Sequence, residues 1–365
     1  MSKAVKVIFI VLMAAAVVSG VILTGCQKAD VKETFKIGFI GPLTGDIGFL
    51  GVGMKNAMMI ARDELGDTRF NYEYLFEDTQ NDPKLVATAA QKLMSVDNVD
   101  AVLTLGVNAG LVTSPIATKY NKIHFSIAIE PWVAKGDNNF IHWTPSPKLN
   151  GLLIDEMQRR GIRTVGVFRT VTAEGYVVYM DDLRKGLKNA GIRLVTDQTF
   201  QNGTKDFRSL ISRAKPANPD IYVIFADTPE LELLGKQIKE AGIKTPLTSI
   251  ESFEVSQNME LFEGYWFVSV AEPSEAFART YKERYGVRPP LCAPNAYDMV
   301  NLIVTAVERA GTSGKPTTAE ISRELRKIKN FPGALGNLTI NQDGIVLSEG
   351  TLKIIKNGEV QILKQ

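Results

Sequence analysis

Phe35-Lys36-Ile37-Gly38-Phe39-Ile40-Gly41-Pro42-Leu43-Thr44-Gly45 decides how the rest of this 365-residue chain is read. Phe35–Ile40 has the aromatic and apolar content of a strand, and Gly41–Gly45 is the turn that closes it. Gly48-Phe49-Leu50-Gly51-Val52-Gly53 reads as a glycine-rich turn. It leads to a helix over Met54–Leu65, with Ala57, Met58, Ile60, Ala61 and Leu65 on its apolar face. Strand, turn and helix in that order are the unit from which the rest is built.

Outward from this unit the alternation continues. Phe70–Glu77 is the next strand. Asp82-Pro83 then starts a helix, with aspartate as the cap and proline in the first turn. Strands follow at Val99–Leu105 and Ile123–Ala128, separated by a helix over Leu111–Tyr120 despite Pro115. After Pro145-Ser146-Pro147 come strands at Thr164–Phe168, Arg193–Phe200, Ile221–Phe225 and Pro246–Ile250, again with helices between them. Two such runs predict an α/β chain of two lobes, each a mostly parallel sheet covered by helices. The remainder holds three helices and then short strands with turns at Asp343-Gly344 and Asn357-Gly358.

The N-terminus carries different information. Lys3 and Lys6 precede an apolar run from Val7 to Val18, and Leu23-Thr24-Gly25-Cys26 follows. Charged, apolar and small-residue zones in that order form a secretory signal. The ending resembles the lipobox of bacterial lipoproteins, which implies cleavage before Cys26, lipidation of Cys26 and an extracytoplasmic, membrane-attached chain. Two other readings are a plain signal peptide and a membrane anchor. Val7–Leu23 is 17 residues interrupted by Ser19-Gly20, short of the ~20 that a spanning helix needs. Gln27 stands where aspartate marks inner-membrane retention in two-membrane bacteria.

Composition excludes several classes. The chain has 42 Lys and Arg against 40 Asp and Glu, and Lys3 and Lys6 leave with the signal, so the mature chain is formally neutral. That is no nucleic-acid footprint. With Cys26 lipidated, Cys292 stands alone, so no intramolecular disulfide is available, and it reads as a small buried apolar residue. The only histidines are His124 and His142. No metal-ligand spacing, nucleophile elbow, dinucleotide fingerprint or phosphate loop appears, so neither cofactor nor catalysis is expected. Carboxylates do recur beyond predicted strands: Glu130, Glu174, Asp227 and Glu251. In open α/β sheets, ligands bind outside the carboxyl ends of strands.

Residues 35–360 resemble the leucine/isoleucine/valine-type solute-binding proteins of branched-chain amino acid ABC transporters. The resemblance rests on Ile37–Gly45 with Gly51 and Asn56-Ala57, and on Glu77-Asp78-Thr79-Gln80-Asn81-Asp82-Pro83. It continues at Asn218-Pro219-Asp220, Glu240-Ala241-Gly242-Ile243, Ala296-Tyr297-Asp298, and Phe331-Pro332-Gly333 with Gly336 and Asp343-Gly344. It implies the two-lobed type I periplasmic binding protein fold, with three crossings and a solute clamped between lobes by hinge closure. The crossings are expected near Asn139–Pro147, Val268–Pro273 and Phe331–Leu338. The division is a signal at 1–25, a tether at 26–34, an N-terminal lobe from 35–143 with 272–332, and a C-terminal lobe from 144–271 with 333–365. The implied partners are a small-molecule solute, an ABC permease and the membrane through the lipid, with the chain a monomer.

The same resemblance, together with the carboxylates beyond the strands, makes Phe49 and Leu50, Asn108 and Ala109, Glu130 and Trp132, Glu174 and Tyr176, Asp227 and Glu251 the candidate ligand residues. Family members hold an amino acid carboxylate with serine and threonine groups after the third and fourth strands. Here those loops read Gly106-Val107-Asn108-Ala109-Gly110 and Ile127-Ala128-Ile129-Glu130-Pro131-Trp132, without hydroxyls and with a repelling Glu130. Ser249-Ile250-Glu251-Ser252 keeps the position whose glutamate pairs with the ligand ammonium. Acidic groups beside Trp132 and Tyr176 suit an amine, amide or cationic solute, although Trp132 also suits lobe packing or hinge support. A ligand-sensing lipoprotein that signals to a membrane receptor is the alternative function, since this fold hosts both.

Overall fold

The opening strand sits one strand in from the edge of the larger sheet. β1 (Thr34–Gly41) is buried from Ile37 onward and lies between β2 (Asn71–Asp78) and β3 (Ala101–Leu105), parallel to both. The computed structural model describes residues 32–364, so the signal, Cys26 and most of the tether lie outside the described residues. From Thr34 onward the chain forms one compact unit.

Gly48–Gly53 departs from expectation. It is not a loop but the first turns of α1 (Gly48–Glu64). Its glycines serve close approach: a Cβ at Gly51 would lie 1.7 Å from the Pro42 carbonyl oxygen. Helix α2 (Pro83–Gln91) begins as predicted, with Asp82 accepting from the Lys84 amide at 2.8 Å. After α3 (Val107–Tyr120), β4 (Ile123–Ile127) and β5 (Asn139–His142) extend the first sheet.

The second half opens with α4 (Ser146–Arg159), β6 (Thr164–Thr170), α5 (Glu174–Asn189), β7 (Arg193–Phe200) and α6 (Arg208–Ala214). It continues with β8 (Ile221–Phe225), α7 (Glu230–Glu240), β9 (Leu247–Ser249) and β10 (Trp266–Val270). Helices α8 (Glu275–Tyr285), α9 (Ala293–Ala310) and α10 (Thr318–Lys327) precede β11 (Phe331–Gly333), β12 (Gly336–Ile340) and β13 (Ile345–Leu347). β14 (Gly350–Lys356) and β15 (Glu359–Ile362) close the chain.

The first sheet runs β11-β12-β13-β5-β4-β3-β1-β2 and the second β7-β6-β8-β9. A bridge between Ile250 and Val268 joins the second to the antiparallel set β10-β14-β15. Cores of buried aromatics fill both, Phe35, Phe125 and Phe140 in the first, Phe168, Tyr222 and Phe267 in the second. Each such side chain contributes about 1.5–3 kcal/mol. Among the described residues, no helix is long and apolar enough to cross a membrane.

The chain passes between the sheets at Trp143-Thr144-Pro145, at Ala271–Ser274 and at Ser348-Glu349. These segments lie side by side: the Glu349 carbonyl accepts from Thr144 Oγ1 at 2.9 Å and from the Ala271 amide at 3.0 Å. The third crossing therefore falls after the expected Phe331–Leu338, and residues 333–347 belong to the first sheet rather than the second. Pro332 and Gly333 sit instead in an edge strand, where a missing N–H is tolerated.

Candidate functional site

The carboxyl ends of β3, β4, β5 and β8 and the residues after β9 converge on a cavity of about 320 Å³ between the two sheets. That lies within the range of small-molecule sites, roughly 300–1,000 Å³. Glu251 is its most constrained residue. The Ser252 amide bonds the Ile250 carbonyl at 2.8 Å, making Glu251 the centre of a γ-turn with φ at 65°. Such a turn is rare and strained for any residue but glycine.

The turn aims the carboxylate at two donors. Oε1 accepts from Trp143 Nε1 at 2.8 Å and from the Tyr179 hydroxyl at 2.7 Å. No donor among the described residues reaches Oε2. Burial pushes the Glu251 carboxyl up to about 7, against the lowering effect of Tyr179 and Trp143.

Asp227, just beyond β8, repeats the arrangement. Its Oδ1 accepts from the Tyr176 hydroxyl at 2.7 Å. Burial raises this carboxyl too, with the Tyr176 bond opposing. Tyr176 and Tyr179 are one turn apart on α5, so they share a face. Both stack on Phe225, with centroids 5.7 and 6.2 Å away. Burial first, and then the neighbouring carboxylates, holds both phenols well above 10, so they remain donors.

Across the cavity, Gly106 turns at φ 93° into α3, whose first turn has no side-chain cap. Val107, Asn108 and Ala109 line the cavity there, at a helix end that offers unpaired N–H groups. A Cβ on Gly175 at the start of α5 would meet Val107 Cγ2 at 3.9 Å, so the two helix ends approach each other. Ile47, Leu50, Ile129, Val255 and Leu291 form apolar wall. Glu174, Asp227 and Glu251 are the charged lining residues; no Lys, Arg or His lines the cavity. Among the described residues no group of three or more His, Cys, Asp or Glu is arranged to hold a metal ion.

Of the sequence-derived candidates, Leu50, Asn108, Ala109, Glu174, Tyr176, Asp227 and Glu251 come together here, and Phe49, Glu130 and Trp132 do not. Phe49 is half-buried and packs on the core. Glu130 caps a short 3-10 turn, Pro131–Ala134, through the Trp132 amide at 3.2 Å. That turn carries Trp132 to the surface, 64% exposed, with Lys135 Nζ 4.7 Å from its ring centroid. Ile129 lines the cavity instead. Sequence reasoning missed Trp143, Tyr179 and the cavity position of Cys292. Tyr179 alone had a local signal, three residues after Tyr176 on a predicted helix.

A family model described as periplasmic binding protein matches residues 34–351. The leucine-, isoleucine-, valine-, threonine- and alanine-binding protein of Pseudomonas aeruginosa is 23% identical over 347 residues, covering 86% of this chain and 87% of its own. The crystal structure of the Thermotoga maritima leucine-binding protein LivK has a TM-score of 0.84 at 24% identity, covering 90% of this chain and 98% of that one. A Rhodopseudomonas palustris ABC-transporter solute-binding protein in complex with 3,4-dihydroxybenzoic acid has a TM-score of 0.81 at 20% identity, covering 91% and 96%. These likenesses establish the two-lobed fold. The ligands in those names differ in charge and shape.

Proposed function

The chain belongs to the periplasmic binding protein family, and on that premise we propose that it is the solute receptor of an ABC importer, selective for a small organic solute bearing a protonated nitrogen. Relatives in this family are solute-binding proteins rather than enzymes. One observation carries the specificity: two tyrosine-oriented carboxylates, Glu251 and Asp227, share a cavity that no cationic side chain lines. A bound ammonium supplies the missing charge, and apolar wall takes the rest of the molecule. A ligand touching both lobes favours the closed arrangement, and a permease reads that shape. The lobes divide at the three adjacent crossings, and the solute sits beside them.

We further propose export and anchoring through lipidated Cys26, supported by the order of Lys3, Lys6, the apolar run and Leu23-Thr24-Gly25-Cys26. Stable attachment generally needs more than one acyl chain. Calorimetry with amines, amides and amino acids tests the specificity, with Glu251→Gln weakening an ammonium ligand by about 1.5–3 kcal/mol. Tight binding of an anionic aromatic acid and of no amine would remove the proposal. Labelled palmitate that is incorporated equally by the wild type and Cys26→Ala would remove the anchor.

A further inference from the structure

A second chamber of about 310 Å³ opens beside the first and shares Ile47, Asn81, Asn202 and Asp227 with it. Its character is different. Thr44, Asp46, Gln80, Thr204 and Lys205 line it in place of the aromatics, with Asp46 and Glu230 as acids beyond the shared Asp227. Lys205 is the one cationic side chain lining either chamber. It is exposed, and among the described residues its ammonium has no acidic partner within ion-pair distance. The Glu230 carboxylate in the same wall is already bonded to the Gly203 amide.

Asparagines form the neck. Gln80 and Asn81 are consecutive left-handed residues, φ 48° and 62°, in the loop that leads into α2. Asn202 on the opposite sheet has Oδ1 held by Thr170 Oγ1 at 2.8 Å, and its Nδ2 has no partner among the described residues. The Asn81 side chain likewise has none. Two side-chain amides left open on either side of a passage match the donor and acceptor of a peptide group.

From this order of groups we infer that the solute is a short peptide rather than a single amino acid. Its N-terminal ammonium sits at Glu251 and Asp227 with the first side chain against the apolar wall. Its peptide group passes Asn81 and Asn202, and its carboxylate reaches Lys205 in the outer chamber. The inference rests on the amine specificity proposed above. A free amino acid would leave its carboxylate in the inner chamber among Glu174, Asp227 and Glu251, with no cationic side chain.

Titration of the mature protein with leucine, leucinamide, leucylglycine and leucylglycinamide separates the cases. Leucylglycine should bind at least tenfold more tightly than leucine. Lys205→Gln should lower affinity for leucylglycine several-fold more than for leucylglycinamide, which lacks the carboxylate. Thr204→Ala reports on the outer chamber if the lysine variant folds poorly, and should weaken the two dipeptides more than leucinamide. Leucine or leucinamide equalling or exceeding both dipeptides overturns the peptide inference and leaves the amine specificity standing. If no amine probe binds at millimolar concentration, both fall.

Discussion

Trp143 Nε1 donates to Glu251 Oε1 at 2.8 Å, which ties the first crossing between the sheets to the strained turn beyond β9. The bond lies in the cavity wall, so one contact orders the first crossing and aims the carboxylate. Trp143→Phe keeps an aromatic side chain but deletes the donor along with the second ring of the buried indole. It should lower the unfolding free energy by roughly 1.5–3 kcal/mol, the worth of a hydrogen bond to a charged group, and weaken amine binding as well. Urea denaturation with ligand titration checks both. A variant that loses stability but binds normally would confine Trp143 to the scaffold.

Glu251 makes stability depend on pH. Burial lifts its carboxyl from 4.5 to about 7 in the folded state. The folded protein therefore binds more protons than the unfolded chain between those values, and stability falls as pH rises through them. The loss is roughly 3 kcal/mol at 1.36 kcal/mol per unit. Glu251→Gln should abolish that slope in the ligand-free protein. An ammonium ligand prefers the ionised carboxylate, so amine affinity should rise between about pH 6 and 8 with proton release. Calorimetry in buffers of different ionisation enthalpy measures the released proton.

His124 acts in the opposite direction. It is fully buried in the first sheet, between Thr104 Oγ1 at 2.9 Å and Asn139 Oδ1 at 3.1 Å. Burial drops its pKa from 6.5 to about 4, with the Asn139 bond opposing. The unfolded chain then binds the proton first, so stability present above pH 6.5 is lost as pH falls toward 4, by about 3 kcal/mol. His124→Gln should flatten the acid limb of a plot of melting temperature against pH. Paired with Glu251→Gln, it should leave only the slope from other shifted groups, among them the raised Asp227 carboxyl.

Lys353 is 1% exposed and lies beside the second crossing, with Glu254 Oε2 at 2.8 Å and Glu272 Oε1 at 2.7 Å. Arg288 closes the group through Glu272 at 2.7 Å. Burial raises the Glu272 carboxyl, but the charges of Lys353 and Arg288 outweigh that and hold it below its ordinary value. Lys353→Met strands two partly buried carboxylates and should cost about 3–5 kcal/mol. The triple variant Lys353→Met, Glu254→Gln, Glu272→Gln should recover much of the loss. Chemical denaturation of the single and triple variants checks the coupling.

The central strands were legible because buried parallel strands read as unbroken apolar runs, as at Ile37–Ile40, Ala101–Leu103 and Ile221–Phe225. β5 was hidden because it begins with Asn139 and ends with His142. Both are buried through side-chain partners, His124 for the first and Asn295 and Asp298 for the second. Pattern alone does not reveal such pairing. In the cavity, Glu251 could be found from its place after a strand. Trp143 could not, because its meeting with Tyr179 and Glu251 is created by the crossing rather than by spacing. Trp132 misled for the converse reason: a capped turn of four residues was enough to carry it to the surface.

Gly51 offers the sharpest test of how the opening loop supports the site. A Cβ there would sit 1.7 Å from the Pro42 carbonyl oxygen, a backbone atom that cannot swing aside. Gly51→Ala must push α1 away from the turn after β1, and Leu50, which lines the cavity, moves with it. Overpacking of this kind costs about 1–3 kcal/mol, and ligand affinity should fall together with stability. Gly66, which has open space around its would-be Cβ and no positive φ, is the control. Gly66→Ala should be neutral or stabilising by about 0.4–1 kcal/mol, through the unfolded state. Thermal melts of the two variants with and without leucinamide separate a local clash from a general intolerance of alanine. Equal melting temperatures for both would mean that the contact between α1 and Pro42 yields without strain.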